Sequence, residues 1–166
     1  MLHLRSSGGL FGAENVILEI AKHSSQYGWE SIVGSINNIH DPYPVFLKAA
    51  AQNDIETILF QCRRQIDIKC CKAIHSYIKS KNISVIHSHG YKENIFSLIS
   101  NNSIPKIATN HLWKGNSLRS KFYCFLDAIC IRFFDEIVGV SDDIVDKMKR
   151  YRIQRVTKIA NGIDTD

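Results

Sequence analysis

The sequence has no C-x-x-C pair. Its five cysteines, Cys62, Cys70, Cys71, Cys124 and Cys130, are odd in number and include a vicinal pair. A disulfide framework and a zinc ribbon are both disfavoured by that count and spacing. The cysteines read instead as reduced thiols filling the core of a cytoplasmic protein. Gly-Lys-Ser/Thr of a Walker loop is absent, as are the G-x-S-x-G nucleophile elbow and any Ser–His–Asp or Cys–His order. The chain also lacks a long apolar run. Its richest aromatic stretch, Leu118 to Phe134, is interrupted by Arg119, Lys121, Asp127 and Arg132, and is too short and too charged to span a bilayer. Met1 leads straight into a first strand, so no signal peptide is expected. No repeat, low-complexity tract or linker divides the 166 residues, and a single domain over 1–166 is expected. The formal charge of +5 suits anionic ligands or an acidic membrane surface. No basic stripe interleaved with aromatics accompanies it, so nucleic acid is not an expected partner.

What is present is an alternation. Hydrophobic residues at 45% and charged residues at 22% give a core-forming rather than a disordered chain. Strands are expected at Met1–Leu4, Trp29–Ile36, Ile55–Phe60, Ile83–His87, Lys106–Asn110, Ile137–Val140 and Arg155–Ala160. Helices are expected at Asn15–Tyr27, Val45–Gln52, Ile66–Lys79, Glu93–Ser100 and Leu118–Phe134, with a further helix capped by Ser141 and opened by Asp142 and Asp143. The first helix sets Val16, Ile17, Ile20, Ala21 and Tyr27 along one face and stops at Gly28. Most of the apolar side chains of Leu118–Phe134 are expected in the core. Strands of this kind, alternating with helices, form a parallel sheet covered on both sides. The fold class is α/β: a Rossmann-like three-layer α/β/α domain with a mostly parallel sheet of about seven strands.

The segment Ser6-Ser7-Gly8-Gly9-Leu10-Phe11-Gly12-Ala13-Glu14 lies between the first strand and the first helix. Strand, glycine loop and helix N-terminus is the order in which backbone N–H groups can approach a phosphate. It is not a dinucleotide fingerprint. Ser7 stands where the first glycine would be, and the next strand ends at Asn37 and Asn38 without a carboxylate for a ribose. Polar residues collect at other strand ends: His87 and His89 after the fourth, His111 after the fifth, Ser141 after the sixth, Asn161 and Gly162 after the last. Ligands of open α/β sheets bind there. His87, His89 and His111 make a three-histidine zinc site conceivable. Without motif spacing or a neighbouring acid, however, they read better as hydrogen-bonding groups for a sugar hydroxyl or phosphate, or as structural residues. Asp135 and Glu136 read as a helix end rather than a catalytic pair.

These pieces in this order resemble the N-terminal domain of a retaining glycosyltransferase of family 4, one half of the two-domain GT-B fold. The matching motifs are Gly8-Gly9-Leu10-Phe11-Gly12-Ala13-Glu14, Val85-Ile86-His87-Ser88-His89-Gly90, Ala108-Thr109-Asn110-His111, Val138-Gly139-Val140-Ser141 and Lys158-Ile159-Ala160-Asn161-Gly162-Ile163-Asp164. The resemblance implies that Gly8, Gly9 and Gly12 lie beside the donor diphosphate and the acceptor, and that His111 contacts the transferred sugar. His87, His89 and Ser141 join the substrate-binding set, and Asn161 and Gly162 line a cleft between two domains. It further implies a nucleotide-sugar co-substrate, a UDP-sugar first, with no bound metal or other cofactor. The implied acceptor is a glycan or lipid-linked glycan of surface polysaccharide or glycolipid synthesis. Peripheral contact of Leu118–Phe134 with the inner face of the membrane would go with such an acceptor. The donor-binding domain of the family is absent from this chain, so the 166 residues are expected to fold but to turn nothing over. A nucleotide-sugar epimerase with the same sheet is the nearest competing expectation, and a non-catalytic α/β ligand-binding module is the next.

Overall fold

The computed structural model describes residues 1–7, 9–38, 44–101, 103–111 and 118–161. Among these residues seven strands form one sheet: β1 (Leu2–Arg5), β2 (Ile32–Asn38), β3 (Glu56–Cys62), β4 (Ile86–Ser88), β5 (Lys106–Asn110), β6 (Glu136–Gly139) and β7 (Thr157–Lys158). Their order is β3-β2-β1-β4-β5-β6-β7, and every neighbouring pair is parallel. The direction of winding reverses between β1 and β4. That switch opens a crevice at the carboxyl ends of the strands.

Among the described residues, six α-helices connect them: α1 (Gly12–His23), α2 (Val45–Gln52), α3 (Ile68–Ser80), α4 (Tyr91–Ser100), α5 (Leu118–Cys130) and α6 (Asp142–Arg150). Three groups of buried apolar side chains glue them on. Leu2, Leu4, Ile36 and Phe60 pack with Cys70, Ile74, Ile78 and Phe96 of α3 and α4. Val33 and Ile55 pack with Ile17, Leu18 and Ala21 of α1 and Phe46, Leu47 and Ala50 of α2. Ala108 and Ile137 pack with Cys124 and Ala128 of α5 and Ile144 and Met148 of α6. The thiols behave as core filling. Cys62, Cys70, Cys71 and Cys124 are buried, and burial pushes the Cys70 thiol up to about 12.

Several boundaries differ from the sequence expectation, for local reasons. α1 begins at Gly12 rather than Asn15, because the Glu14 carboxylate accepts the Phe11 N–H at 3.0 Å and closes the first turn. Its sheet-facing stripe is Glu14, Ile17, Leu18 and Ala21. Ile20 and Tyr27 therefore point outward, contrary to the expected apolar face. The α-helix tightens to a 3₁₀ turn at Ser24–Tyr27 and ends at Gly28, whose φ of 76° is the left-handed conformation glycine accepts without strain. α3 starts at Ile68, two residues later than expected, because the Asp67 side chain caps it through the N–H groups of Lys69 and Cys70. α5 gives way to a 3₁₀ turn at Ile131–Phe133. Contrary to the sequence expectation, most described apolar side chains of 118–134 are not buried: Cys124, Ala128, Ile131 and Phe134 are, but Phe122, Phe125, Ile129 and Phe133 face outward.

Candidate functional site

The switch between β1 and β4 is dense with polar side chains. His3 of β1 and His87 of β4 are register partners, and His87 pairs in turn with Ile107 of β5. Alternation along parallel strands then puts residues 3, 87, 89, 109 and 111 on one side of the sheet. The ring contacts agree. His3 lies 5.2 Å from His87 and 5.4 Å from His89, His87 lies 4.0 Å from His89, and His89 lies 5.6 Å from His111.

Hydrogen bonds link most of these rings in a line. His3 Nε2 is 3.2 Å from Ser31 Oγ, His3 Nδ1 is 3.2 Å from His89 Nε2, and His89 Nδ1 is 3.3 Å from His111 Nε2. His87 stands beside the line, with Nε2 2.7 Å from Thr109 Oγ1. Burial disfavours the imidazolium in all four rings, and the neighbouring rings and Arg5 add to it. His87 is lowered to about 3 and His111 to about 4, and His3 and His89 lie well below the ordinary histidine value. All four are neutral at pH 7.

Beside them Arg5 Nε donates to Glu14 Oε1 at 2.6 Å, and Arg5 Nη1 donates to the His89 carbonyl. Burial pushes the Glu14 carboxyl up, but the Arg5 hydrogen bond and charge, with the Phe11 N–H, outweigh it and hold the group below its ordinary value. The same carboxylate thus ties the start of α1 to β1 and, through Arg5, to the end of β4. Gly90 opens α4. A Cβ there would stand 2.6 Å from Glu93 Oε2 and 3.1 Å from Arg5 Nη1, so a side chain has no room. Glu93 is fully buried, and burial raises its pKa.

Arg5, His89, Gly90, Glu93, Asn110 and His111 line a 250 Å³ pocket at this edge. Among the described residues, three buried polar atoms of its lining side chains find no hydrogen-bond partner: His111 Nδ1, Asn110 Nδ2 and Glu93 Oε1. Buried polar atoms are rarely left so, and an outside ligand is one way to satisfy them. Tyr91 and Lys92 are shared with a 590 Å³ groove that Arg63, Arg64, Phe122 and Tyr123 also line, with Tyr91 stacked on Tyr123 at 5.2 Å. No acidic side chain is among the described residues of that groove.

The structure therefore brings His87, His89 and His111 together, as their places at strand ends suggested. His87 and His89 lie in the interior, and His111 reaches the pocket. Gly9 and Gly12 flank the start of α1 next to Glu14. The hydroxyl oxygen of Ser141 accepts the Ile144 N–H and so serves as the cap of α6. Asn161 is exposed beyond β7. Gly8 and Gly162 lie outside the described residues. His3 was missed because Met1–Leu4 reads as merely apolar. Its signal was the alternation that buries Leu2 and Leu4 on one side and turns His3 to the other. For a metal, the trio among the described residues in which one ring nitrogen of each lies within 4.8 Å of the others is His3, His87 and His89, not the conceivable set of His87, His89 and His111. Between His3 and His89 the facing nitrogens are already within hydrogen-bond distance of each other.

A parallel sheet with its winding reversed at β1/β4, and a polar crevice at the strand ends, is the architecture of one half of a GT-B protein. Among solved structures, Anabaena HepE in complex with UDP superposes with a TM-score of 0.79 at 19% identity, covering 98% of this chain and 44% of that one. A putative UDP-N-acetylglucosamine 2-epimerase from Listeria monocytogenes gives 0.65 at 10% identity, covering 93% and 43%. Acinetobacter baumannii MurG gives 0.58 at 12% identity, covering 86% and 42%. The chain thus spans less than half the length of each. No curated protein is significantly similar in sequence. The profile of Glycosyltransferase Family 4 matches residues 12–166, and the chain belongs to that family.

Proposed function

We propose that these 166 residues are the acceptor-side half of a retaining glycosyltransferase, with the β1/β4 crevice forming one wall of its catalytic cleft. The observation that carries this reading is the trio of unpartnered atoms, His111 Nδ1, Asn110 Nδ2 and Glu93 Oε1, around the 250 Å³ pocket. A sugar offers hydroxyls that both donate and accept, and satisfying such atoms rewards it over an apolar ligand.

In this reading His111 touches the transferred sugar through Nδ1. The first turn of α1, with the N–H groups of Gly12 and Ala13 and the positive end of the helix dipole, faces the departing diphosphate. The Arg5–Glu14 pair holds that turn against β1 and so fixes the field in advance of the reaction. The donor is a nucleotide-sugar. HepE has been crystallised with UDP and with UDP-glucose, which makes a UDP-sugar the first candidate here. A second domain supplies the rest of the donor site, so the 166-residue chain alone transfers nothing.

The acceptor, a glycan or lipid-linked glycan, enters along the 590 Å³ groove. α5 carries Phe122, Phe125 and Ile129 outward at helical spacing, and Phe133 of the 3₁₀ turn that follows is 70% exposed. In this reading the stripe contacts the surface of an anionic membrane from the cytoplasmic side. Among the described residues no helix is long and apolar enough to cross one.

The test is thermal stability of this chain, and of a version extended through its reading frame, with a panel of nucleotide-sugars. A ligand bound to the native state raises the melting temperature. Response of the extended version alone supports the proposal and names the donor. A strong response of the 166-residue chain, or sugar transfer by it, contradicts the division of labour proposed. Epimerisation of the donor without transfer favours the epimerase reading.

A further inference from the structure

We propose that His89, His3 and Ser31 are positioning residues that decide which proton state His111 presents to the sugar. The inference rests on His111 facing the substrate, as proposed above, and adds a mechanism for holding it ready.

The line Ser31 Oγ, His3, His89, His111 runs from the start of β2, beneath α1, to the crevice at the opposite end of the strands. A neutral imidazole has one N–H and one bare nitrogen. Each ring in the line uses one nitrogen toward each neighbour, so the proton in one bond dictates the proton in the next. Only two arrangements satisfy every bond. If Ser31 donates to His3 Nε2, then His3 Nδ1–H donates to His89 Nε2 and His89 Nδ1–H donates to His111 Nε2. His111 then offers Nδ1–H to the pocket. If Ser31 accepts, all three rings carry the proton on Nε2, and His111 offers a bare Nδ1. The three rings therefore share one tautomer.

Three features keep the line intact. Burial holds every ring neutral, and a protonated ring would donate at both nitrogens and break the pattern. His3 and His89 are fully buried, so water does not compete for their nitrogens. Arg5 Nη1 holds the His89 carbonyl, which fixes the backbone from which that ring hangs. His87 lies off the line and packs against it, its own Nε2 engaged by Thr109.

The test is ¹⁵N NMR of the histidine rings in the 166-residue chain at neutral pH. His3, His89 and His111 are expected to show the same tautomer, all Nδ1–H or all Nε2–H. Ser31→Ala removes the far end of the line, and His3→Phe cuts it while keeping a packed ring. Both are expected to move the ring nitrogen shifts of His111 while its backbone shifts stay in place, and Ser31→Thr, which keeps a hydroxyl, is expected to restore the original pattern. Mixed tautomers in the unaltered chain overturn the inference. So does a His111 ring unchanged in both Ser31→Ala and His3→Phe, or stoichiometric Zn²⁺ binding by the histidine rings. In the extended enzyme Ser31→Ala is expected to lower kcat several-fold at unchanged KM, with rescue by Ser31→Thr. Coupled tautomers with an unchanged kcat leave the line standing and refute instead the contact between His111 and the sugar.

Discussion

Acidification from pH 7.5 to 5.0 is expected to destabilise this domain through its buried histidines. An unfolded histidine titrates near 6.5, whereas His87 is held near 3 and His3 and His89 well below 6.5. The unfolded chain therefore binds more protons in this window, and stability falls as the pH falls. One and a half pH units below 6.5, at about 1.4 kcal/mol per unit, amounts to about 2 kcal/mol for each ring that stays neutral. His111, held near 4, stays neutral in the same window, so the four rings together set an upper bound of about 8 kcal/mol, a large part of the stability of an ordinary domain. Glu14 does not confuse the window. Its pKa is lowered, so its contribution is present above the ordinary carboxylate value near 4.5 and is lost only below it. Glu93 acts in the opposite sense, because its raised pKa makes the folded state take up a proton as the pH falls. The measurement is urea unfolding at both pH values in a Glu93→Gln background, with the slope m held common. A drop of several kcal/mol is expected, reduced by about 2 kcal/mol on adding His87→Leu. A change below about 1 kcal/mol would refute the reasoning, because the rings would then be titrating in the folded state.

Three further outcomes follow from single contacts. Arg5→Met leaves the Glu14 carboxylate buried without its cation and is expected to cost about 3 kcal/mol in urea unfolding, most of it recovered in the double variant with Glu14→Gln. Gly90→Ala drives a methyl against Glu93 Oε2 and Arg5 Nη1, with an expected loss of about 1–3 kcal/mol by the same assay. Phe122→Ser with Phe125→Ser alters only outward-facing side chains. It is expected to abolish co-sedimentation with anionic vesicles while changing stability by no more than about 0.5 kcal/mol per site, and undiminished co-sedimentation would remove α5 as the membrane contact.

The sheet was legible because its strands are short apolar runs separated by helical spacing, a pattern few other folds share. Strand ends were less so. β7 is paired over only Thr157 and Lys158, although Arg155–Ala160 reads as a strand, because alternation does not reveal where a neighbour stops. The crevice was half legible. Histidines after two apolar strands announced themselves, but His3 did not, since its partner His87 lies more than eighty residues away and only the parallel register brings the two together. The same holds for Arg5 and Glu14. Glu14 reads from sequence as a favourable charge in a first turn, whereas its larger role is to hold a guanidinium across the start of the fold. Asn94 and Asp127, which bond at 2.7 Å between α4 and α5, left no local trace either. The outward stripe of α5 was misjudged because helical periodicity cannot say which of two apolar faces meets the sheet.

The most direct test of the account is sugar transfer by the extended protein, measured with its donor and a labelled acceptor beside the same protein carrying His111→Ala. Transfer by the unaltered protein, with kcat lowered about 100-fold or more in the variant while the fold is kept, is the predicted result. Transfer at an undiminished rate in His111→Ala would contradict it, and would remove the β1/β4 crevice from the catalytic cleft.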